Sequence, residues 1–308
     1  MTSPSRSHPS VTVVIATRHR PELLAKAVEA ALNQEYDGDI EVLAVFDQAE
    51  PQDAMTTAEP GRVVRVLPNV RTPGLPGARN TGITAATGEL VAFCDDDDQW
   101  LAGKLVRQVD AMHRLGCQAA VTGIQVRYGD ELKVRSVTSE RLTGADLVRD
   151  RVTAAHPSTY LADRRFVLEQ AGLVDEDIPG GYGEDYDWLL RVAKHSDVAV
   201  VAEPLVEVLW HPGSFFTRRW DTIVDALQYL IDKHPEIRED RRGLARIQGQ
   251  QAFALAALGR RREAWGKLRE TAMNNPGEKR LLAALPVLLH IVSADRVLHA
   301  ANRVGRGI

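Results

Sequence analysis

Residues 90–100 read Leu90-Val-Ala-Phe-Cys-Asp-Asp-Asp-Asp-Gln-Trp100, five uncharged residues running straight into four carboxylates, Asp95 to Asp98. An apolar run of that length, with Val and Phe in it and Gly88 just ahead, reads as a buried strand. Four successive carboxylates repel one another, so a chain that gathers them at a strand end needs a reason. A hard divalent cation is one, because Mg²⁺ takes a few carboxylates plus substrate phosphate oxygens. A solvated acidic turn capping a helix that starts near Leu101 is the other. The tetrad alone does not choose between them.

Its surroundings add weight to the first. Residues 11–16 form a β-branched apolar run, followed by Thr17-Arg-His-Arg20 and by Pro21 at the start of a helix. On that helix Leu23, Leu24, Ala27, Val28, Ala31 and Leu32 share one face. Ile40–Phe46 reads as a second buried strand ending at Asp47, and residues 63–67 as a third. A Pro/Gly loop over 69–77 leads into a small-residue helix over 78–87, closed by Gly88. After the tetrad comes an amphipathic helix over 101–115, then a strand at Ala119–Tyr128. This alternation predicts an α/β fold with a largely parallel sheet. Ligands of such sheets sit at the carboxyl ends of the strands, so Thr17, Asp47 and Asp95 to Asp98 should meet on one rim.

Further on, residues 158–161 predict a short strand and 164–171 a short helix ended by Gly172. A glycine-rich loop over 178–183 opens a helix whose first turn carries Glu184, Asp185 and Asp187. Residues 198–210 supply one or two more strands before His211-Pro-Gly213. From about Asp221 the pattern is helical, and residues 240–308 hold 13 Lys/Arg against 5 Asp/Glu, 13 − 5 = +8.

The 308 residues suffice for a full core, and 44% hydrophobic with 26% charged residues is ordinary for a globular protein. A net charge of -4 argues against nucleic-acid binding. Cys94 and Cys117 form no C-x-x-C pair, which fits reduced thiols and neither a disulfide frame nor a zinc knuckle. Residues 1–10 are polar, lack an apolar signal core and are expected to be disordered. The longest apolar stretch, 281–294, is too short to span a membrane and contains Pro286 and His290. The expectation is a soluble cytoplasmic protein with room for peripheral attachment at the inner face of the membrane.

Four segments together resemble the inverting family 2 glycosyltransferases with a GT-A fold. They are residues 11–34 with their Thr-containing turn and Asn33-Gln34; Ala78-Arg-Asn80 with Gly82, Gly88-Glu89 and the tetrad; Glu184-Asp-Tyr-Asp-Trp188 with Arg191; and His211-Pro-Gly-Ser214. The resemblance implies a GT-A domain over 11–220, with a nucleotide-sugar half to about 128 and an acceptor half beyond, plus an all-helical extension over 221–308. One departure stands out. The family's second strand commonly ends in Asp-Asp, whereas this chain has Phe46-Asp47, so the base, uracil or another, stays open.

The implied reaction moves a sugar from a nucleoside diphosphate, a UDP-sugar first among donors, to an acceptor hydroxyl. Mn²⁺ or Mg²⁺ would neutralise the leaving diphosphate. By match to the D-x-D motif, Asp97 is the expected metal ligand; Asp95 and Asp96 face the ribose or a metal-bound water, and Asp98 caps the next helix. His211, in the segment that resembles the family's late His turn, is expected as a further metal ligand or a diphosphate contact. Thr17, Arg18 and Asp47 are expected at the nucleotide. Arg79 either reaches base or diphosphate or forms a structural ion pair. Asp185 is the expected general base of a single, inverting displacement. Glu184 is expected to position the acceptor, and Trp188 either stacks on a sugar or belongs to the core. The basic helices either pack on the catalytic domain or contact a membrane or partner. Two other functions compete. A non-catalytic nucleotide-sugar-binding scaffold would keep the fold; a sugar-nucleotide nucleotidyltransferase needs a glycine-rich phosphate loop after the first strand, and residues 17–21 lack glycine. A Rossmann dehydrogenase fails for the same reason, since no G-x-G-x-x-G follows a strand in this chain.

Overall fold

A computed structural model describes residues 8–52, 59–129, 131–210 and 219–303. The chain begins β1 (Val11–Thr17), α1 (Pro21–Leu32), β2 (Ile40–Phe46), β3 (Arg62–Pro68), α2 (Leu75–Ala85) and β4 (Leu90–Asp95). It continues through β5 (Gln99–Trp100), α3 (Lys104–Leu115), β6 (Ala119–Tyr128), β7 (Glu131–Arg135), β8 (Arg141–Leu142) and α4 (Gly144–Arg149). After β9 (Leu161–Asp163), α5 (Arg164–Phe166) runs into a π-turn, Val167–Ala171, and is followed by α6 (Glu184–Ala193) and β10 (Val198–Leu209). Among the described residues six helices follow: α7 (Trp220–Lys233), α8 (Pro235–Glu239), α9 (Arg241–Ala257), α10 (Arg261–Asn274), α11 (Lys279–Leu288) and α12 (Ala294–Arg303).

The sheet order is β3-β2-β1-β4-β9-β6-β10-β5, with β7 beside β6 and β8 beside β10. Strands β3, β2, β1 and β4 are mutually parallel, β9 runs antiparallel between β4 and β6, and β10 is parallel to β6. The chain winds outward from β1 to β3 and then returns to β1's other side as β4. That reversal makes the β1/β4 boundary the switch point at which the loops part and leave a crevice. Thr17 faces Phe46 in register, and Ala16 faces Asp95. The main core lies under this sheet, with Val13, Ile15, Val42, Ala44, Leu105 and Ile124 among its buried members.

The chain divides into two compact units. One comprises Met1–Gly144, Val152–Glu176 and Glu184–Trp210; the other Ala145–Arg151, Asp177–Gly183 and His211–Ile308. The second has its own core, where Ala252, Phe253 and Leu255 of α9 meet Ala264 and Leu268 of α10 and Ala284, Val287 and Leu288 of α11. No helix among the described residues is long and apolar enough to cross a membrane.

Several boundaries differ from the sequence expectation. Helix α2 starts at Leu75, three residues early, because Pro76 sits where a missing N–H costs nothing. Helix α3 starts at Lys104 rather than Leu101, since residues 99–100 pair with β10 instead. Residues 157–159 are a 3₁₀ turn, and β7 and β8 were too polar to stand out. Residues 8–10, expected within a disordered N-terminus, are held in place. The Pro9 carbonyl accepts from Tyr36 at 2.5 Å, and the Ser10 carbonyl from Leu90 N at 2.9 Å.

Gly82 lets α2 lie directly on β1, because a Cβ there would sit 2.2 Å from Val14 Cγ1. A packed core gives way to an inserted methyl only by moving backbone or rotamers. Gly82→Ala should therefore destabilise the protein by about 1–3 kcal/mol, read as a lower urea midpoint with an unchanged slope.

Candidate active site at the β1/β4 switch point

The tetrad is a tight turn in which Asp98 N donates to the Asp95 carbonyl at 3.1 Å. Its four side chains divide the work. Asp96 is buried and accepts from Thr17 Oγ1 at 2.7 Å and from Arg20 Nη1 at 3.1 Å. Asp98 is buried too, accepting from Ser158 Oγ at 2.5 Å and from Leu209 N at 3.3 Å. Asp95 and Asp97 stay partly open. Arg20 Nη1 also reaches Asp97 at 2.9 Å, so one guanidinium ties two of the carboxylates to the turn after β1.

Behind Asp95 lies Arg79 of α2, only 2% exposed. It donates to Asp95 Oδ1 at 2.7 Å and to Glu184 Oε1 of α6. Glu184 Oε2 in turn accepts from Asp185 N at 2.6 Å. A buried guanidinium thus fixes the end of β4 against the start of α6. Asp185, half-buried, also contributes to the field at Arg79.

Ser158 completes the frame. Its hydroxyl accepts from Asp95 N at 2.9 Å while donating to Asp98, and its carbonyl accepts from Trp100 Nε1 at 2.8 Å. His156 Nδ1 lies 3.3 Å from Asp98 Oδ2. Asp95, Asp98 and His156 each offer a ligand atom within 4.8 Å of the others.

The charges are unbalanced. Burial, followed by the fields of Asp95 and Asp96, raises the Asp97 carboxyl; burial with Asp95 and Asp97 raises Asp98 further. Burial also lifts Asp96 against the pull of Thr17 and Arg20. Burial pushes Glu184 up, against the pull of Arg79. Burial lowers His156 despite Asp95, Asp185 and Asp97, which leaves a neutral imidazole at pH 7. Oxygen donors crowded to this degree, beside a neutral imidazole, suit a hard or borderline divalent cation.

A recess of about 260 Å³ opens beyond the ends of β1 and β2, lined by Thr17, His19, Arg20, Pro21, Leu24, Phe46, Ala49, Glu50 and Gln52. The turns beside it carry non-glycine residues in the left-handed region, His19 at φ 54° and Gln48 at φ 49°. Such strain gathers at functional rims. Asp47 is buried at the β2 end, and its carboxylate organises the next loop. Oδ1 accepts from Asn69 Nδ2 at 2.8 Å and Gly74 N at 2.9 Å, and Oδ2 from Gln48 Nε2 at 2.9 Å. The same loop is clamped from its other side by Glu176, which accepts from Arg71 Nε at 2.5 Å, Thr72 N at 3.2 Å and Asn80 Nδ2 at 2.7 Å.

Residues 12–169 match the family model described as glycosyl transferase family 2. The chain belongs to this family. It is 31% identical over 215 residues to succinoglycan biosynthesis protein ExoO of Rhizobium meliloti, a match spanning 66% of this chain and 61% of ExoO. It is 21% identical to WfgD of Escherichia coli, named a UDP-Glc:alpha-D-GlcNAc-diphosphoundecaprenol beta-1,3-glucosyltransferase, over 62% of this chain and 72% of WfgD. Among solved structures, residues 1–349 of S. aureus TarS with UDP-GlcNAc superpose with a TM-score of 0.60 at 12% identity, over 96% of this chain and 92% of that one. The mannosyltransferase PcManGT of Pyrobaculum calidifontis, with GDP-Man and Mn²⁺, gives 0.53 at 17% identity, over 94% and 82%. The fold of this family 2 member is GT-A with a helical C-terminal region.

Several site expectations need correcting. Trp188 is 1% exposed, stacked on Tyr160 with ring centroids 5.6 Å apart and donating Nε1 to the Gly172 carbonyl at 3.1 Å. It is core and has no face left for a sugar. Arg79 and Glu184 are buried against each other and Asp95, so Arg79 takes the ion-pair alternative and Glu184 is committed to it. Asp96 is held by Thr17 and Arg20, and Thr17, itself buried, lines the recess with its hydroxyl committed to Asp96. Asp98 caps no helix, for α3 begins after Gly103 without a side-chain cap. Arg18 is exposed and acts on Asp47 only through its charge. His211 lies outside the described residues.

The sequence reading missed Arg20, Ser158 and Glu176 and gave His156 no role. Pro157, which breaks regular structure beside His156 and Ser158, was the available signal for that pair. Nothing local marks Glu176, whose three donors come from about 96 to 105 residues earlier in the chain.

Burial would raise Glu176, but hydrogen bonds from Thr72, Asn80 and Arg71 outweigh it and hold the carboxyl at about 2. A carboxyl lowered by folding stabilises above its unfolded value near 4.3, and that stability drains as pH falls toward the folded value. The unfolding free energy should therefore fall between about pH 4.5 and 2. Glu176→Gln should flatten this slope in acid titrations followed by urea unfolding.

Proposed function

We propose that this family 2 member transfers a sugar from a nucleoside diphosphate to an acceptor hydroxyl, with a divalent cation and in one inverting displacement. The observation that carries the reading is three partly open carboxylates on one buried frame: Asp95 and Asp97 in the turn at the end of β4, the first bonded to Arg79, and Asp185 next to Glu184, which the same arginine holds. Buried acids nearby are committed to positioning, whereas these three keep exposed surface for ligands.

The recess at the β1 and β2 ends suits a planar base, with Phe46 and Leu24 supplying apolar contacts and Asp47 holding the loop at its edge. Either a uracil or a larger base fits its volume. UDP-GlcNAc in TarS and GDP-Man in PcManGT are the ligands that frame the choice. Asp97 and Asp95 would hold Mn²⁺ or Mg²⁺, which when bound supplies Lewis-acid neutralisation of the departing diphosphate. Arg20 donates to Asp97 and so restrains that carboxylate.

Asp185 takes the acceptor proton as the hydroxyl attacks the anomeric carbon from the side opposite the leaving group. The bond to Glu184 fixes the backbone from which Asp185 projects, and Arg79 fixes Glu184. One displacement needs one base and no covalent intermediate, and it inverts the anomeric centre. ExoO and WfgD point to a role in polysaccharide or glycolipid assembly, and WfgD to a lipid-diphosphate-linked acceptor.

Asp97→Ala should abolish Mn²⁺-dependent donor binding by calorimetry across a panel of UDP-, GDP- and dTDP-sugars; unchanged metal affinity would move the ligand elsewhere. Asp185→Asn should keep donor binding but lose about 10²–10⁴-fold in transfer. Near-normal turnover in that variant would remove Asp185 as base, and donor binding without any turnover in the parent protein would favour a scaffold.

A further inference from the structure

We propose that helices α10 and α11 form an interfacial docking surface for an anionic lipid membrane. This rests on the geometry of those two helices and on no assignment at the β1/β4 site. The faces they turn to their own core are already supplied by Ala264 and Leu268 on α10 and by Ala284, Val287 and Leu288 on α11. A second apolar set points the other way. Trp265 is 59% exposed and Met273 65%, while Leu282 is 79% exposed and Ile291, just past α11, 70%. Leu285 and Leu289 are exposed as well. Of the large hydrophobics exposed among the described residues, half fall within 265–291.

Spacing turns these residues into stripes. Arg262, Trp265, Arg269 and Met273 are three, four and four residues apart on α10, which places them on one helical face. Leu282, Leu285 and Leu289 repeat that spacing along α11 and into its C-cap. Apolar side chains in register on a solvent face, interleaved with arginine, contradict the pattern a buried or freely solvated helix needs.

The charge identifies the occupant. Glu263, Glu270 and Glu278 are each paired, with Arg260, Lys267 and Arg280. That leaves Arg261, Arg262, Arg269 and Lys279 exposed and in no ion pair among the described residues. Two copies of such a face would repel each other, whereas lipid phosphates offer counter-charge at the level where Trp and Leu side chains meet the acyl boundary. Long arginine stems can lie along that boundary with their heads among the phosphates.

The test is flotation of the full chain with vesicles of phosphatidylcholine alone and with about 30% phosphatidylglycerol. The protein should float with the anionic vesicles only, and added salt should weaken binding. Arg262→Glu with Arg269→Glu, and separately Trp265→Gln with Leu282→Gln, should each lose most of the vesicle-bound fraction. Thermal melts and hydrolysis of a soluble donor should stay at parental levels, since all four side chains are exposed. Failure of the parent to float, variants that float like it, or a reversible dimer in sedimentation velocity that the Trp265→Gln, Leu282→Gln variant abolishes would each overturn the proposal. Donor hydrolysis, read on the same preparations, reports on the transferase reading separately.

Discussion

The buried Arg79 guanidinium is the interaction on which the rest of the site depends. Removing an arginine from water is costly, and it is tolerated here because two carboxylates, Asp95 and Glu184, meet it directly. The gain is one of arrangement more than of stability. Asp95 ends a strand and Glu184 begins a helix far along the chain, and each can satisfy the arginine only where the other already stands. Asp185 inherits its place from this pairing through the bond between its own N–H and Glu184.

Around that pair the acids fall into two groups. Asp47, Asp96, Asp98, Glu176 and Glu184 are filled with donors from hydroxyls, amides, guanidinium groups or backbone N–H groups. They shape loops, and their hydrogen bonds offset the cost of burial. Asp95, Asp97 and Asp185 retain open surface. Like charges held close by a rigid frame raise one another's affinity for protons and for cations alike. The frame thus holds several acids together while leaving only some of them reachable.

The helical unit follows a different economy. Alanines and glycines on α9 allow α10 and α11 to approach closely, so a small set of side chains suffices for its core. The larger apolar residues of α10 and α11 are not needed there and stand outward between arginines. Their placement is a property of the surface, independent of what holds the unit together.

Much of this protein was legible in its sequence. Continuous apolar runs marked β1, β2, β4 and β6, since a strand covered on both faces leaves no room for polar residues. Their alternation with helices established the parallel layout, and that layout alone implied that Thr17, Asp47 and the tetrad would share a rim. Polar edge strands such as β7 lack any such mark and passed unread. The division of labour among like residues was decided only by tertiary structure. Trp188 and Arg79 have the chemistry of ligand-binding residues, and burial withdrew both from that role. Arg20, Ser158, His156 and Glu176 joined the site through partners many residues distant. Periodicity reports which way a side chain points from its own element, whereas hydrogen-bond partners and exposure depend on which other elements fold against it.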